Sequence, residues 1–262
     1  MRKYWFIFKM ELTQLMELRL DFWVKWLTSL LIVIMNYFVW TTAFASGKSF
    51  GGYALESIVA YFITTSFLYN VILIHRQELI SRDIVEGGLS TLLVRPLSYP
   101  LQIFCRAMVS RIVYTAIGAV LIYIVSLFII QFPMPAPQNI ALGILAILFA
   151  TILYTCFDFS LGILSFWLAR SNGPRWIFST IGMLASGIMF PIDLLPSWLE
   201  KILFATPFPY IIYFPASVVV GHFDSTSLTQ GMLAGFFWSV VLIILTATAW
   251  RRGIRTFDGS GI

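Results

Sequence analysis

Charge is what this chain has least of. Only 11% of its 262 residues are Asp, Glu, Lys or Arg, under half the one-quarter of an ordinary soluble domain. A soluble fold of this length could not hide the 59% that is apolar, so lipid has to be the solvent for much of the surface. Histidine and cysteine are scarce too, at two each. His75 and His222 fall on opposite membrane sides in the topology derived below, so they share no metal site or relay. Cys105 falls at a membrane edge and Cys156 inside a span, with neither pairing nor metal-ligand spacing. No ladder of acids and histidines is present to carry protons. A phosphate-binding loop is also missing. Gly47-Lys48-Ser49 has the right ending, but the first glycine of GxxxxGK[ST] would fall on Thr42. Gly259-Ser260-Gly261 follows no strand and is no nucleophile elbow. With no nucleophile–base pair and no metal set, no catalytic residue, metal site or cofactor is assigned to this chain. Repeats and low-complexity linkers are lacking as well, so residues 1–262 read as a single transmembrane domain.

What the chain does have is apolar runs of membrane length. Six spans are predicted, at 26–45, 54–74, 110–131, 139–168, 176–190 and 230–250, most of them near the roughly 20 residues that cross hydrocarbon. The fifth is short and ends at Pro191. Before the first span, Trp5, Phe8, Leu12, Leu15, Met16, Phe22 and Trp23 share one helical face. Lys9, Glu11, Thr13, Gln14, Glu17 and Asp21 share the other, and Arg19 interrupts the apolar side. That pattern predicts an amphipathic helix lying in the interface within residues 1–25. No cleavage site follows the basic start, so the first span is expected to act as the targeting signal.

Residues 191–220 are apolar but cut by Pro191, Pro196, Pro207, Pro209 and Pro215. The pieces left between them are too short to cross about 30 Å of hydrocarbon. The pattern predicts a re-entrant helical hairpin on the outer side, before the last span. Serines at 197 and 217 are then expected to be reachable from outside. With the N-terminus in the cytoplasm, fifteen of the 17 basic residues lie inside, and only Lys48 and Lys201 lie outside. This split favours six spans with both termini cytoplasmic. It also explains the net charge of +5 without nucleic acid. Two acids fall in or near spans. Glu56 lies near the outer interface, and Asp158 lies deeper. Each has two readings, a helix–helix hydrogen bond or a place in the substrate path.

The inner loop, 75–109, carries the most information. A charged helix runs through Arg82, Asp83 and Glu86 and stops at Gly87-Gly88. An apolar turn with Leu92 and Leu93 follows, and Arg95-Pro96 closes it. Such a knob suits docking into a groove on a soluble partner. The string Arg82-Asp83-Ile84-Val85-Glu86-Gly87 with Leu92-Leu93-Val94-Arg95-Pro96 resembles the inner loop of ABC transporter permeases of the type-2 class, in the branch of about 260 residues. Phe190-Pro191-Ile192-Asp193-Leu194-Leu195-Pro196-Ser197-Trp198-Leu199, followed by Pro207-Phe208-Pro209, resembles that family's outer gate segment. The resemblance implies a bacterial inner-membrane exporter subunit paired with a second permease, identical or related. It implies separate cytoplasmic ATPase subunits, which hold ATP and Mg. Arg82, Asp83, Glu86, Gly87, Leu92, Leu93, Arg95 and Pro96 would couple to the ATPase, and Pro191, Asp193, Pro196, Trp198, Pro207 and Pro209 would form the outer gate. A carrier or channel acting alone is the other reading, and it has no need of a docking knob.

Overall fold

In hydrocarbon every backbone N–H and C=O must be paired within the chain, so long apolar runs fold as helices. The computed structural model describes residues 8–13, 19–45, 53–94, 98–128, 137–168 and 171–257, with the backbone alone at 19–22, 25 and 121–128. The first helical segment, α1, covers 8–13. Then come α2 (Arg19–Ala45), α3 (Leu55–Ile72), α4 (Gln77–Val85), α5 (Gly88–Leu93), α6 (Tyr99–Phe128) and α7 (Pro137–Ile163). The remainder is α8 (Asn172–Ala185), α9 (Ser197–Phe204), α10 (Tyr213–Val220) and α11 (Ser225–Thr256). Among the described residues, five stretches are long and apolar enough to cross a membrane: Trp26–Ala45, Leu55–Val85, Tyr99–Val120, Pro137–Phe166 and Ser225–Thr256. The second joins α3 to α4, although the helix is interrupted at residues 73–76.

Burial sorts these helices into layers. Apolar on every side, α3 stands at the centre, with Ile58, Leu68 and Ile72 fully buried. It packs against α2, α6, α7 and α10, while α7 also carries α11 and α4. The main core joins Tyr61, Leu153, Ile212, Tyr213 and Ala216 from α3, α7 and the α10 region. By contrast α2 and α11 are peripheral: Met35 and Phe38 of α2 are 65% and 63% exposed, and Leu233 of α11 is 63% exposed. Apolar surface of that extent is stable only against lipid or another membrane chain.

Several expected boundaries shift. The inner loop 75–109 is mostly helical, and its last part, 99–109, belongs to α6. Tyr99, Ile103 and Ala107 are buried there, so packing against protein extends α6 where its charges argued for a loop. The first long helix begins at Arg19 rather than 26. The expected fifth span is α8, of 14 residues, about 21 Å long at 1.5 Å per residue. Proline cuts 191–220 as expected, leaving α9 and α10 at eight residues each. Ser197 is exposed, but Ser217 is buried at 1% exposure. The reason is that α10 is wrapped by α3 and α7. Residues 1–7, 14–18, 46–52, 95–97, 129–136, 169–170 and 258–262 are not described, so Lys48, Arg95 and Pro96 lie outside the described residues.

Candidate functional site

The α4–α5 corner is a folded unit. Its charged helix ends at Glu86, and Gly87 takes a φ of 75°, a left-handed turn that side chains resist. From there α5 leaves at a new angle. Ile80, Ile84 and Leu89 are completely buried against Tyr99, Ile103, Phe159, Ile163 and Phe166. The Tyr99 hydroxyl donates to Asp83 Oδ2 at 2.7 Å. Gly162 of α7 lets α4 lie close, since a Cβ there would sit 2.7 Å from Ile80 Cβ. Of the expected coupling residues, Arg82 and Glu86 are exposed, one turn apart. Asp83 turns toward Tyr99, and Leu92 leans on the same core. The apolar tip is Leu93, 39% exposed, with Val94, 86% exposed.

A polar seam fixes this corner to the spans. Asp158 of α7 is 3% exposed, and its Oδ2 accepts the backbone N–H of Arg76 at 2.6 Å. The carboxylate therefore caps the start of α4 from another helix, where free N–H groups and the dipole favour an anion. The Arg76 guanidinium pairs with Glu11 and donates to Ser110 Oγ at 2.7 Å. Glu11 is itself only 3% exposed, so α1 is tied to the same node. His75 Nδ1 lies 2.6 Å from the Tyr154 hydroxyl and 3.9 Å from Asp158 Oδ1. Arg111, 5% exposed, donates to the Ile72 carbonyl at 3.1 Å. Arg175 of α8 donates to the Gln77 carbonyl at 2.9 Å. A buried hydroxyl chain joins Ser81 to Ser165 at 2.6 Å and Ser165 to Ser171 at 2.8 Å. Through these bonds α4 is held to α6, α7 and α8 together.

At the opposite end, Asp193 follows Pro191 in a short 3-10 turn, Ile192–Leu194. Its Oδ2 accepts from the Tyr53 hydroxyl at 2.7 Å and lies 3.0 Å from His222 Nε2. The Tyr53 and His222 rings stack, with centroids 4.5 Å apart and planes 11° off parallel. Burial would raise the Asp193 carboxyl, but hydrogen bonds from His222 and Tyr53 outweigh it and hold the group below its ordinary range. Burial and the bond to Asp193 raise the Tyr53 hydroxyl, which stays neutral. The remaining expected gate residues differ in exposure. Pro191 and Pro209 are buried, Pro207 is half-buried, and Pro196 and Trp198 are exposed. Glu56 is exposed on the first turn of α3, whereas Asp158 belongs to the inner seam. The two acids are thus not brought together. Tyr53, His222, Glu11 and Tyr99 were not among the expected site residues. No local pattern marks a tyrosine that will bond an aspartate 140 positions away.

Among the described residues, no group of three or more His, Cys, Asp or Glu side chains is placed to hold a metal. A bundle of long apolar helices, polar at its two ends, defines a multi-pass membrane protein. Residues 30–261 match the family model described as ABC-2 family transporter protein. The chain belongs to that family, whose permeases are membrane transport components and not themselves catalytic. No curated protein matches the chain.

Proposed function

We infer that this chain is the permease subunit of an ATP-driven exporter. It forms a conduit with a second permease and works with a separate cytoplasmic ATPase that binds ATP and Mg. The observation that carries this reading is the α4–α5 corner. Its inner face is locked to α6, α7 and the serine chain, while Arg82, Glu86, Leu93 and Val94 point away from the protein. A rigid corner with a charged and apolar outer face suits a soluble partner whose movement must reach the spans. Asp158, capping α4, acts as a positioning group that transmits this movement, and Arg95 and Pro96, outside the described residues, are proposed to take part in the coupling. A carrier acting alone has no use for such a corner.

In this reading α8 with its flanking turns is the fifth of six spans, which returns both termini to the cytoplasm. The N-terminal helix lies along the inner interface, and α9 with α10 forms an outer re-entrant gate. The Tyr53–Asp193–His222 knot latches that gate, with Trp198 at its rim. The test is reconstitution. The chain purified alone should not hydrolyse ATP, and the chain purified with its ATPase should show ATP-dependent outward transport. ATP hydrolysis by the isolated chain, or transport driven by an ion gradient without the ATPase, would overturn the reading.

A further inference from the structure

The last helix carries charge that the fold leaves unpaired. Arg251, Arg252 and Arg255 stand near the C-terminal end of α11, and all three are exposed. Among the described residues no carboxylate pairs with any of them. Arg255 neighbours Arg252 at i,i+3 and Arg251 at i,i+4, so the three form one cluster of like charge, and like charges at such spacings repel. The helix dipole welcomes a cation in the last turn, and that turn holds Arg255 alone. The dipole therefore leaves Arg251 and Arg252 unaccounted for.

The cluster continues a lipid-facing surface. Helix α11 runs Ser225–Thr256, 32 residues, which is about 48 Å at 1.5 Å per residue. Hydrocarbon is about 30 Å deep, so the ends of this helix stand in the headgroup layers. At roughly 100° per residue, Phe237, Ile244, Arg251 and Arg255 fall within about 40° of one another, with Leu245 and Arg252 beside them. Phe237, Ile244 and Leu245 are exposed. Ile244 and Arg251 are about 10 Å apart along the axis. That distance takes a chain lying on Ile244 from hydrocarbon into the headgroup layer, about 5–8 Å thick. Beyond the end of α7, Phe166 packs on Trp250 and Phe257, and Trp167 next to it is exposed. Exposed indole rings of this kind sit at headgroup level. The opposite face of the same turns, with Trp250, Ile254 and Phe257, packs on the α4–α5 core, so the arginines are turned away from the protein.

We propose that this end of α11 binds the phosphate headgroup of an anionic phospholipid. Arg251, Arg252 and Arg255 hold the phosphate, since a guanidinium fork matches phosphate oxygens in pairs. One acyl chain lies along Phe237, Ile244 and Leu245. Continuity with that apolar face favours lipid over the ATPase as the occupant, because a soluble acidic partner would meet the arginines with no use for the face. The site needs neither ATP nor a second permease, so it stands apart from the transport reading.

The experiment uses the purified full chain in neutral detergent, titrated with phosphatidylglycerol or with phosphatidylcholine of identical acyl chains and read by native mass spectrometry. Phosphatidylglycerol should bind more tightly by roughly a hundredfold at low salt, the combined effect of three cations at a headgroup, and added salt should narrow the gap. Arg251→Gln, Arg252→Gln and Arg255→Gln should each cost roughly fivefold, and together they should abolish the preference. Lysine at the same three positions keeps the charge and should keep most of the preference. Lys9→Gln, Arg82→Gln and Lys201→Gln together remove three exposed charges elsewhere and should leave it intact. Phosphatidylcholine should bind alike in every variant, inorganic phosphate at millimolar concentration should not displace the lipid, and size-exclusion profiles report folding. Equal loss in the control triple would reduce the effect to net charge and overturn the site. Displacement by phosphate would overturn it in favour of a free-anion site. An unchanged preference in the arginine triple would also overturn the proposal, and if that variant loses its co-purified ATPase instead, the arginines belong to the ATPase contact.

Discussion

Removing the Asp158 carboxylate should loosen the inner seam more than any exposed change. The group is 3% exposed and accepts the Arg76 N–H at 2.6 Å. The positive charges of Arg111 and Arg76 act on the same carboxylate. Arg111, also buried, has only the Ile72 carbonyl at 3.1 Å, with two of its nitrogens unpartnered. Asp158→Ala strips an acceptor from α4 and leaves Arg111 without a counter-charge, a loss of about 3–5 kcal/mol. Asp158→Asn keeps an acceptor for the N–H and should lose less, about 1–3 kcal/mol. For a chain of this size the alanine change corresponds to a drop in Tm of roughly 6–20 °C. Combining Asp158→Asn with Arg111→Met removes both charges, and the double variant should be at least about 1 kcal/mol better than the sum of the single ones. Thermal unfolding in detergent, followed by circular dichroism with size exclusion as a control, measures the native chain and the four variants. Strict additivity, or a fully stable Asp158→Ala with altered transport, would refute the seam and return Asp158 to the substrate path.

Two further outcomes concern the outer end. Because Asp193 is held below the ordinary carboxylate range, its ionised form stabilises the fold above that range, and this contribution is lost as pH falls through its lowered value. The stability gap between the native chain and Asp193→Asn should therefore be full near neutral pH and close below about pH 4. A gap unchanged at pH 3 would disprove the latch. Ser197→Cys, with Cys105 and Cys156 replaced, should react with an impermeant thiol reagent only from the outer side of sealed vesicles. Reaction only from the inner side would invert the topology.

Much of the fold was legible because it depends on local signals. Apolar runs gave α2, α3, α7 and α11, prolines cut 191–220 into short helices, and the Gly87-Gly88 pair ended α4. The candidate site was harder to read. Glu11 looked like a solvent-facing charge, but it is buried against Arg76, 65 positions away. The start of α6 looked like the end of the polar inner loop, and burial in the protein overrides that signal. Leu92 and Leu93 looked equivalent, yet Leu92 packs on the shared core while Leu93 projects. Which face of a six-residue helix is covered depends on neighbours that α6 and α11 supply, and no local periodicity encodes them.

The most direct test is capture of the ATPase by this corner. Leu93→Asp with Val94→Asp places two charges on the exposed tip, and neither side chain belongs to the buried cluster of Ile80, Ile84 and Leu89. Burying apolar groups of this size contributes about 1.5–3 kcal/mol each, so affinity for the ATPase should fall by at least about tenfold. The measurement is pull-down of the co-expressed ATPase from detergent, with expression level and elution profile unchanged. Loss of the ATPase from a folded permease is the predicted result. Undiminished capture and undiminished transport in the double variant would contradict the account, and would leave α4–α5 as a connector.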